Sequence, residues 1–389
     1  MKKLYFVESV RKSDEESSAL LLYIPNNIND WVTDNKDFKR YIRKELNPQS
    51  EEIVKEGEYI YNLGNMYEMA NEDERVNQIH NRYNRLIREL EQKRTDEFSF
   101  SYKNITELYS YHINVGHGNH TLIVFKENGN IHIWMVDCSV SRKCHSDNID
   151  DCISYIKDKF QLEDSIRIEA VMLTHPHYDH YSGISRYIDK NMIDKNTKVY
   201  VNLQCGYKSH NFSNLLSRLK NIGVVVIEPF IQNSCDNIKI LYPDINKFDK
   251  KLSLNNKSSV YNIRFDHESY FVFPGDLETK GWDLMAAAYA CFRRMTKPYF
   301  YAISHHGSIT GHMRTKCICG RSKVKSIRDC LPSRTWTILM GRDKAFSGIY
   351  SQQVLSDFKG RILMSEKDIH NNPARFLEID LISKLYNWF

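Results

Sequence analysis

No run of about 18 consecutive apolar residues occurs in the 389-residue chain, so no membrane-spanning helix is expected. The N-terminus, MKKLYFVESVRKSDEE, starts basic but carries too short an apolar stretch for a secretory signal. The nine cysteines are odd in number and irregularly spaced. That argues against a disulfide framework and for reduced thiols in a cytoplasmic setting. No repeat of fixed short period is present. Neither sign of charge dominates: the net charge of +5 accommodates an anionic substrate without demanding one. What the chain does have is a 41% apolar fraction, enough for a proper core and against global disorder.

Residues 1–104 read differently from the rest. The pattern predicts a short helix over 34–46, with Phe38, Tyr41, Ile42 and Leu46 on one face and Pro48 stopping it. Within 66–95, Val76, Ile79, Tyr83, Leu86 and Leu90 recur at steps of three and four, the narrow apolar stripe of a charged helix. This helical N-terminal accessory region is either a hairpin packed on the main domain or a docking surface for a second protein.

From residue 105 the pattern changes to an α/β domain. YSYHINVG, HTLIVFK and IHIWMVDC are three β-rich runs in quick succession. A helix near 149–160, the runs RIEAVMLTH and KVYVNL, a helix over 212–221 and four further strands follow. A helix over 278–295 precedes PYFYAISHH, and TWTILMG, RILMS and FLEIDL complete the strands. Two sheets with helices outside are expected.

The segment THPHYDHYSG, 174–183, carries the chemistry. His175, His177, Asp179 and His180 place four ligand-type side chains within six residues, at the end of an apolar strand. They cannot enter a hydrophobic core unpaired without a large desolvation penalty. A turn there can aim them at two neighbouring cations, and imidazole with carboxylate suits zinc, manganese or iron.

This H-x-H-x-D-H pattern resembles the metallo-β-lactamase superfamily, over about residues 108–389. The resemblance implies an αββα sandwich holding two divalent metal ions, zinc first and manganese as the alternative. It implies that Asp276, in FVFPGDLE, bridges both metals and that His306, in YFYAISHHGS, completes the second site. Asp137, in WMVDCS, is then the partner that orients the histidine loop. His305 is expected to contact the substrate or leaving group, and Gly307 and Ser308 to offer N–H groups and a hydroxyl to an anion. Most two-metal members carry another histidine between the cluster and the bridging Asp. Here only His210 and His267 occur in that stretch, and His210, the better placed, lacks the usual surroundings.

INVGHGNHTLIV, NNKSSVYNIRF and HHGS narrow the likeness to the branch containing the hydrolase domain of competence (DNA-uptake) proteins. His117, Asn119 and His120 depart from that branch's VGQGD-type hairpin. The hairpin is either a simple β-turn or an active-site rim where His117 meets substrate. His312, Arg314, Lys316, Arg321, Lys323, Lys325 and Arg328 follow with no acidic residue between them. They form either a solvated loop or a cationic loop, with Arg314 and Lys316 at the substrate, that concentrates phosphate-bearing molecules. Cys317, Cys319 and Cys330, with His312, are either free thiols or a separate structural zinc site.

The expected activity is metal-dependent hydrolysis of a phosphodiester, in nucleic acid or a nucleotide, with Asp179 and His305 as catalytic residues and water activated by the metal pair. Hydrolysis of an ester, thioester or lactam is the alternative. A third reading is a hydrolase effector subunit of a multiprotein system, antiviral defence included, recruited through 1–104.

Overall fold

Tyr5 and Val7 face one side of their strand while Leu4 and Phe6 face the other, and all four are buried. A strand apolar on both sides belongs inside a covered sheet. The computed structural model describes residues 2–12, 17–26, 41–63, 66–91, 100–140, 147–162, 166–288, 297–312, 326–340, 350–365, 368–369 and 372–389. It divides into two units, Met1–Lys93 with Gly206–Gly223, and Arg94–Cys205 with Val224–Phe389.

The first unit is built on an antiparallel five-stranded sheet of β1 (Lys3–Lys12), β2 (Ser17–Ile24), β3 (Tyr41–Leu46), β4 (Tyr59–Asn62) and β5 (Tyr67–Met69). Their order is β3-β2-β1-β4-β5. Helix α1 (Pro48–Ile53) starts where Asn47 Oδ1 accepts the Ser50 N–H at 2.8 Å, a side-chain cap followed by proline. Helix α2 (Glu74–Glu91) buries Val76, Ile79, Tyr83, Leu86 and Leu90, the stripe read from the sequence. It packs within this unit on a helix from far along the chain, His210–Ile222, with the Tyr83 and Phe212 rings 6.5 Å apart.

One expectation is corrected here. Among the described residues of 1–104, strand outweighs helix. Residues 41–46 of the predicted 34–46 helix form β3, because Tyr41 and Ile42 pair with Leu22 and Leu21 of β2 and sheet pairing overrides local propensity. Residues 34–40 lie outside the described residues. The compact unit that holds these strands ends at residue 93 and takes in 206–223.

The second unit holds two sheets. One contains β6 (Ile105–Ile113), β7 (His120–Glu127), β8 (Asn130–Cys138), β9 (Ala170–Met172), β10 (Lys198–Tyr200) and β11 (Val225–Ile227), with β20 (Phe376–Asp380) and β21 (Leu385–Trp388) beside β6. The other runs in chain order through β12 (Ile238–Tyr242), β13 (Val260–Phe265), β14 (Glu268–Phe273), β15 (Phe300–Ala302), β16 (Trp336–Leu339) and β17 (Ile362–Met364). A short ladder pairs β18 (Asp368–Ile369) with β19 (Asn372–Pro373). Ile123, Phe125, Trp134 and Val136 of the first sheet share one buried core with Ile240, Phe265, Phe271 and Phe273 of the second. The two sheets therefore face each other.

Helices cover the outer faces. On the first sheet, α3 (Asp147–Phe160) buries Cys152 and Ile156 and sets Tyr155 against Tyr111 of β6. On the second, α7 (Thr279–Ala288) packs Trp282 and Met285 with Val260, Val272 and Tyr301. Among the described residues, no helix is long and apolar enough to cross a membrane.

Parallel pairing sets the site. β8 and β9 run parallel, as do β14 and β15, so their C-terminal ends lie on one edge of each sheet. Asp137 sits at the end of β8, His175 after β9, Asp276 after β14 and His306 after β15. Open α/β sheets place ligand-handling residues at such edges.

Candidate metal centre

The histidine loop leaves β9 through Thr174 and turns into two short helices, α4 (Tyr178–Tyr181) and α5 (Ile184–Asp189). Asp137 pins it. Its Oδ1 accepts the Thr174 N–H at 2.7 Å and its Oδ2 accepts Nδ1–H of His180 at 2.8 Å. A second clamp joins the loop to the end of β8, where the Gly183 N–H donates to the Cys138 carbonyl at 2.7 Å. The hairpin between β6 and β7 closes over the loop, and the Asn119 N–H donates to the Asp179 carbonyl at 3.2 Å. Gly118, at φ +110°, is needed there: a Cβ would collide with that same carbonyl and with the Ser139 hydroxyl.

The donors fall into two groups that share one residue. Asp179, His180, Asp276 and His306 form the first; His175, His177 and Asp276 form the second. In the first, Asp276 Oδ1 lies 3.3 Å from His180 Nε2 and 3.6 Å from His306 Nε2, and Asp179 Oδ2 lies 3.3 Å from His306 Nε2. Donors around a tetrahedral cation with bonds of about 2.0–2.1 Å stand about 3.4 Å apart. The His180 and His306 Nε2 atoms and Asp276 Oδ1 are buried, and none makes a well-formed hydrogen bond. Buried polar atoms left this way are costly unless something else binds them. The other ring nitrogens are engaged, His180 Nδ1 by Asp137 and His306 Nδ1 by the Met340 carbonyl at 3.3 Å, which leaves Nε2 facing inward. These residues fit a divalent cation.

The second group is less open. His175 Nε2 and His177 Nδ1 share a hydrogen bond of 2.9 Å, and Asp276 Oδ2 stands 4.0 Å from His175 Nε2. The two oxygens of Asp276 thus serve different groups.

The charges are interlocked. Burial works to raise the Asp276 carboxyl, but His306, His180 and His305 hold it well below the usual range. Asp179 is likewise held low against burial, by His180, His117 and His306. Burial works to lower His180 and His306, and the carboxylates win: Asp276, Asp137 and Asp179 push His180 up, and Asp276 and Asp179 push His306 up. His175, buried beside His180 and His177, is held well down. An imidazole binds a cation only in its neutral form, so a proton and a cation would compete for the same nitrogens of His180 and His306.

The backbone is strained at the same points. Asp137, His305 and His306 all sit in the left-handed region, at φ +51°, +49° and +47°. Non-glycine residues there cost of order 1–3 kcal/mol each and persist only where the surroundings impose them.

Other expected residues are placed as follows. His305 Nε2 lies 3.8 Å from Asp276 Oδ2, beside the shared carboxylate. His117 Nε2 meets Asp179 Oδ2 at 3.0 Å, so the hairpin is part of the site and not only a turn. The Ser308 N–H donates to the His305 carbonyl at 2.8 Å, and its hydroxyl shares a hydrogen bond with the Thr310 hydroxyl at 3.0 Å. His210 is in neither donor group; it opens α6 (His210–Ile222), which belongs to the other unit. His120 bonds the Tyr187 hydroxyl at 2.9 Å within the core. His312 pairs with Asp357 at 2.8 Å. Arg314, Lys316, Arg321, Lys323, Lys325, Cys317 and Cys319 lie outside the described residues. Sequence reasoning gave no site role to Thr174, Asn255 or Glu278, although each lies in a string singled out above: THPHYDHYSG, NNKSSVYNIRF and FVFPGDLE.

No family model matches the chain, and no curated protein matches it. Among solved structures, it is similar to a protein of unknown function from Enterococcus faecalis, at 15% identity and a TM-score of 0.29. That match covers 50% of this chain, which spans about half (49%) of the other, and a likeness this faint carries no functional argument.

Proposed function

We propose that this chain is a metal-dependent hydrolase of the metallo-β-lactamase fold that cleaves a phosphodiester with two divalent cations. The observation that carries the reading is Asp276, whose two oxygens face two separate sets of imidazoles. Facing sheets with helices outside support the fold assignment. When bound, such a metal pair supplies Lewis acidity and an ionised water nucleophile near neutral pH.

The chain's own residues would do the rest. His175, His177 and Asp276 would hold one cation; Asp179, His180, Asp276 and His306 the other. Asp137 and the Met340 carbonyl orient the imidazoles. His117 steadies Asp179, and His305 offers Nε2 beside Asp276 for moving a proton. The donor set suits zinc, with manganese as the alternative. A phosphodiester is preferred to a neutral ester because of HHGS at 305–308 and the acid-free cationic run that follows it.

Elemental analysis of the purified chain, paired with hydrolysis of dinucleotides, single-stranded DNA and RNA, tests this. Up to two divalent metals per chain are expected, with activity that falls as salt rises. His177→Ala should lose metal and activity while staying folded. Normal turnover in that variant, or a metal-free active protein, would sink the assignment.

A further inference from the structure

The His305 ring is held from its far side. Nδ1 lies 3.1 Å from Thr310 Oγ1 and 3.5 Å from Glu278 Oε1. On the inner side, Nε2 stands 3.5 Å from the Asn255 amide nitrogen. That nitrogen also donates to Glu278 Oε1 at 3.4 Å, so the Asn255 amide presents N–H to the ring. Nε2 is then the acceptor and Nδ1 carries the proton. Glu278 is anchored in turn. Its Oε2 accepts from Asn256 Nδ2 at 3.0 Å, and Asn256 Oδ1 accepts the Gly281 N–H of α7 at 2.6 Å. Neither Glu278 nor Asn255 belongs to the two donor groups.

We infer that Glu278 is a positioning residue, which with Asn255 fixes the ring and tautomer of His305 so that Nε2 faces the reacting bond. This rests on the hydrolase reading above. In that reaction the water oxygen bonds to phosphorus. The bond from phosphorus to the leaving oxygen breaks, with its electron pair on that oxygen. The proton released by the water passes through solvent to Nε2, and Nε2 gives a proton to the leaving oxygen. Glu278 lies outside both donor groups and acts through Nδ1.

The test uses the zinc-loaded full chain, with Glu278→Gln and Glu278→Ala. Histidine ring ¹⁵N spectra, with His305 assigned by its loss in His305→Gln, read the tautomer without any substrate. The wild type should show Nδ1 protonated and Nε2 bare, Glu278→Ala should lose that preference, and Glu278→Gln, which keeps an acceptor oxygen, should retain it. Two phosphodiesters read the proton role, one with a nitrophenolate leaving group and one with an alkoxide. In Glu278→Ala, kcat on the alkoxide ester should fall about 10–100-fold, at least about tenfold more than on the nitrophenyl ester, with KM and zinc content held. Equal losses on both esters, loss of zinc, or an unchanged tautomer in Glu278→Ala overturns the inference. A zinc-loaded wild type inert to both esters overturns the phosphodiester reading and the proton role with it. In that case the ¹⁵N spectra still decide whether Glu278 sets the ring.

Discussion

Asp137 accepts Nδ1–H of His180 at 2.8 Å from a backbone held at φ +51°. The strained turn at the end of β8 aims a buried carboxylate sideways, beneath the histidine loop. There it also takes the Thr174 N–H, at 2.7 Å. One residue thereby sets both the path of the loop and the direction of the His180 Nε2.

Replacing it separates those roles from metal binding itself. Asp137→Asn has one acceptor oxygen for donors that two oxygens now serve, so a buried donor is left unpaired. Metal affinity should drop about 10–100-fold, and stability by about 1–3 kcal/mol. Competitive zinc titration and urea denaturation measure the two. Wild-type zinc affinity in this variant would show that Asp137 does not orient His180.

Gly118→Ala is expected to be severe. It puts a Cβ into the Asp179 carbonyl and asks alanine to hold φ +110°. Overpacking and backbone strain together should cost about 2–4 kcal/mol. Because the displaced atom belongs to Asp179, metal content should fall as well. A folded variant with full metal content would mean that the hairpin moves independently of the loop.

His112 and His120 predict a pH dependence. Both are fully buried, and burial pushes each imidazole down to about 3. An unfolded chain protonates its histidines near pH 6.5, so between about 6.5 and 3 the unfolded state binds more protons. The stability these residues contribute is therefore complete above about pH 6.5 and declines as pH falls, by about 1.4 kcal/mol per unit for each. His112 bonds Ser110 and Thr121 at 3.1 and 3.0 Å. His112→Gln can keep such bonds without titrating, so urea midpoints at pH 7 and pH 5 should differ less in the variant. An identical pH slope in both proteins would rule out this source.

Removing residues 1–93 should not release a clean second unit. Phe212, Leu215, Leu216 and Leu219 of α6 are buried in a unit whose α2 supplies Tyr83, Leu86 and Leu90. The shortened chain should expose that face and aggregate, whereas removing 206–223 as well should restore solubility. Size-exclusion chromatography distinguishes the two. A monomeric chain lacking only 1–93 would show that α6 does not need α2.

Chain connectivity by itself determined the histidine loop: His175, His177, Asp179 and His180 are close because six residues hold them so. The strands of the second unit were legible where an apolar run ended in a turn, while Asp137, Asp276 and His306 were singled out by the family resemblance and not by local pattern. The N-terminal sheet was not legible, since β1 buries both faces and lacks the alternation that marks a half-covered strand. β21 was missed too, its LYNW run being short and half exposed.

Only the tertiary structure decided which distant side chains share a donor group and which do not. His210 was only the better placed of two histidines between the loop and Asp276, and its helix packs with α2 in the other unit. His117 reaches Asp179 because Gly118 lets two backbones approach, and Glu278 reaches His305 because Asn256 ties it to the first turn of α7. Those pairings depend on how separate turns stack at one edge of two sheets, a long-range packing outcome that local pattern and propensity do not encode.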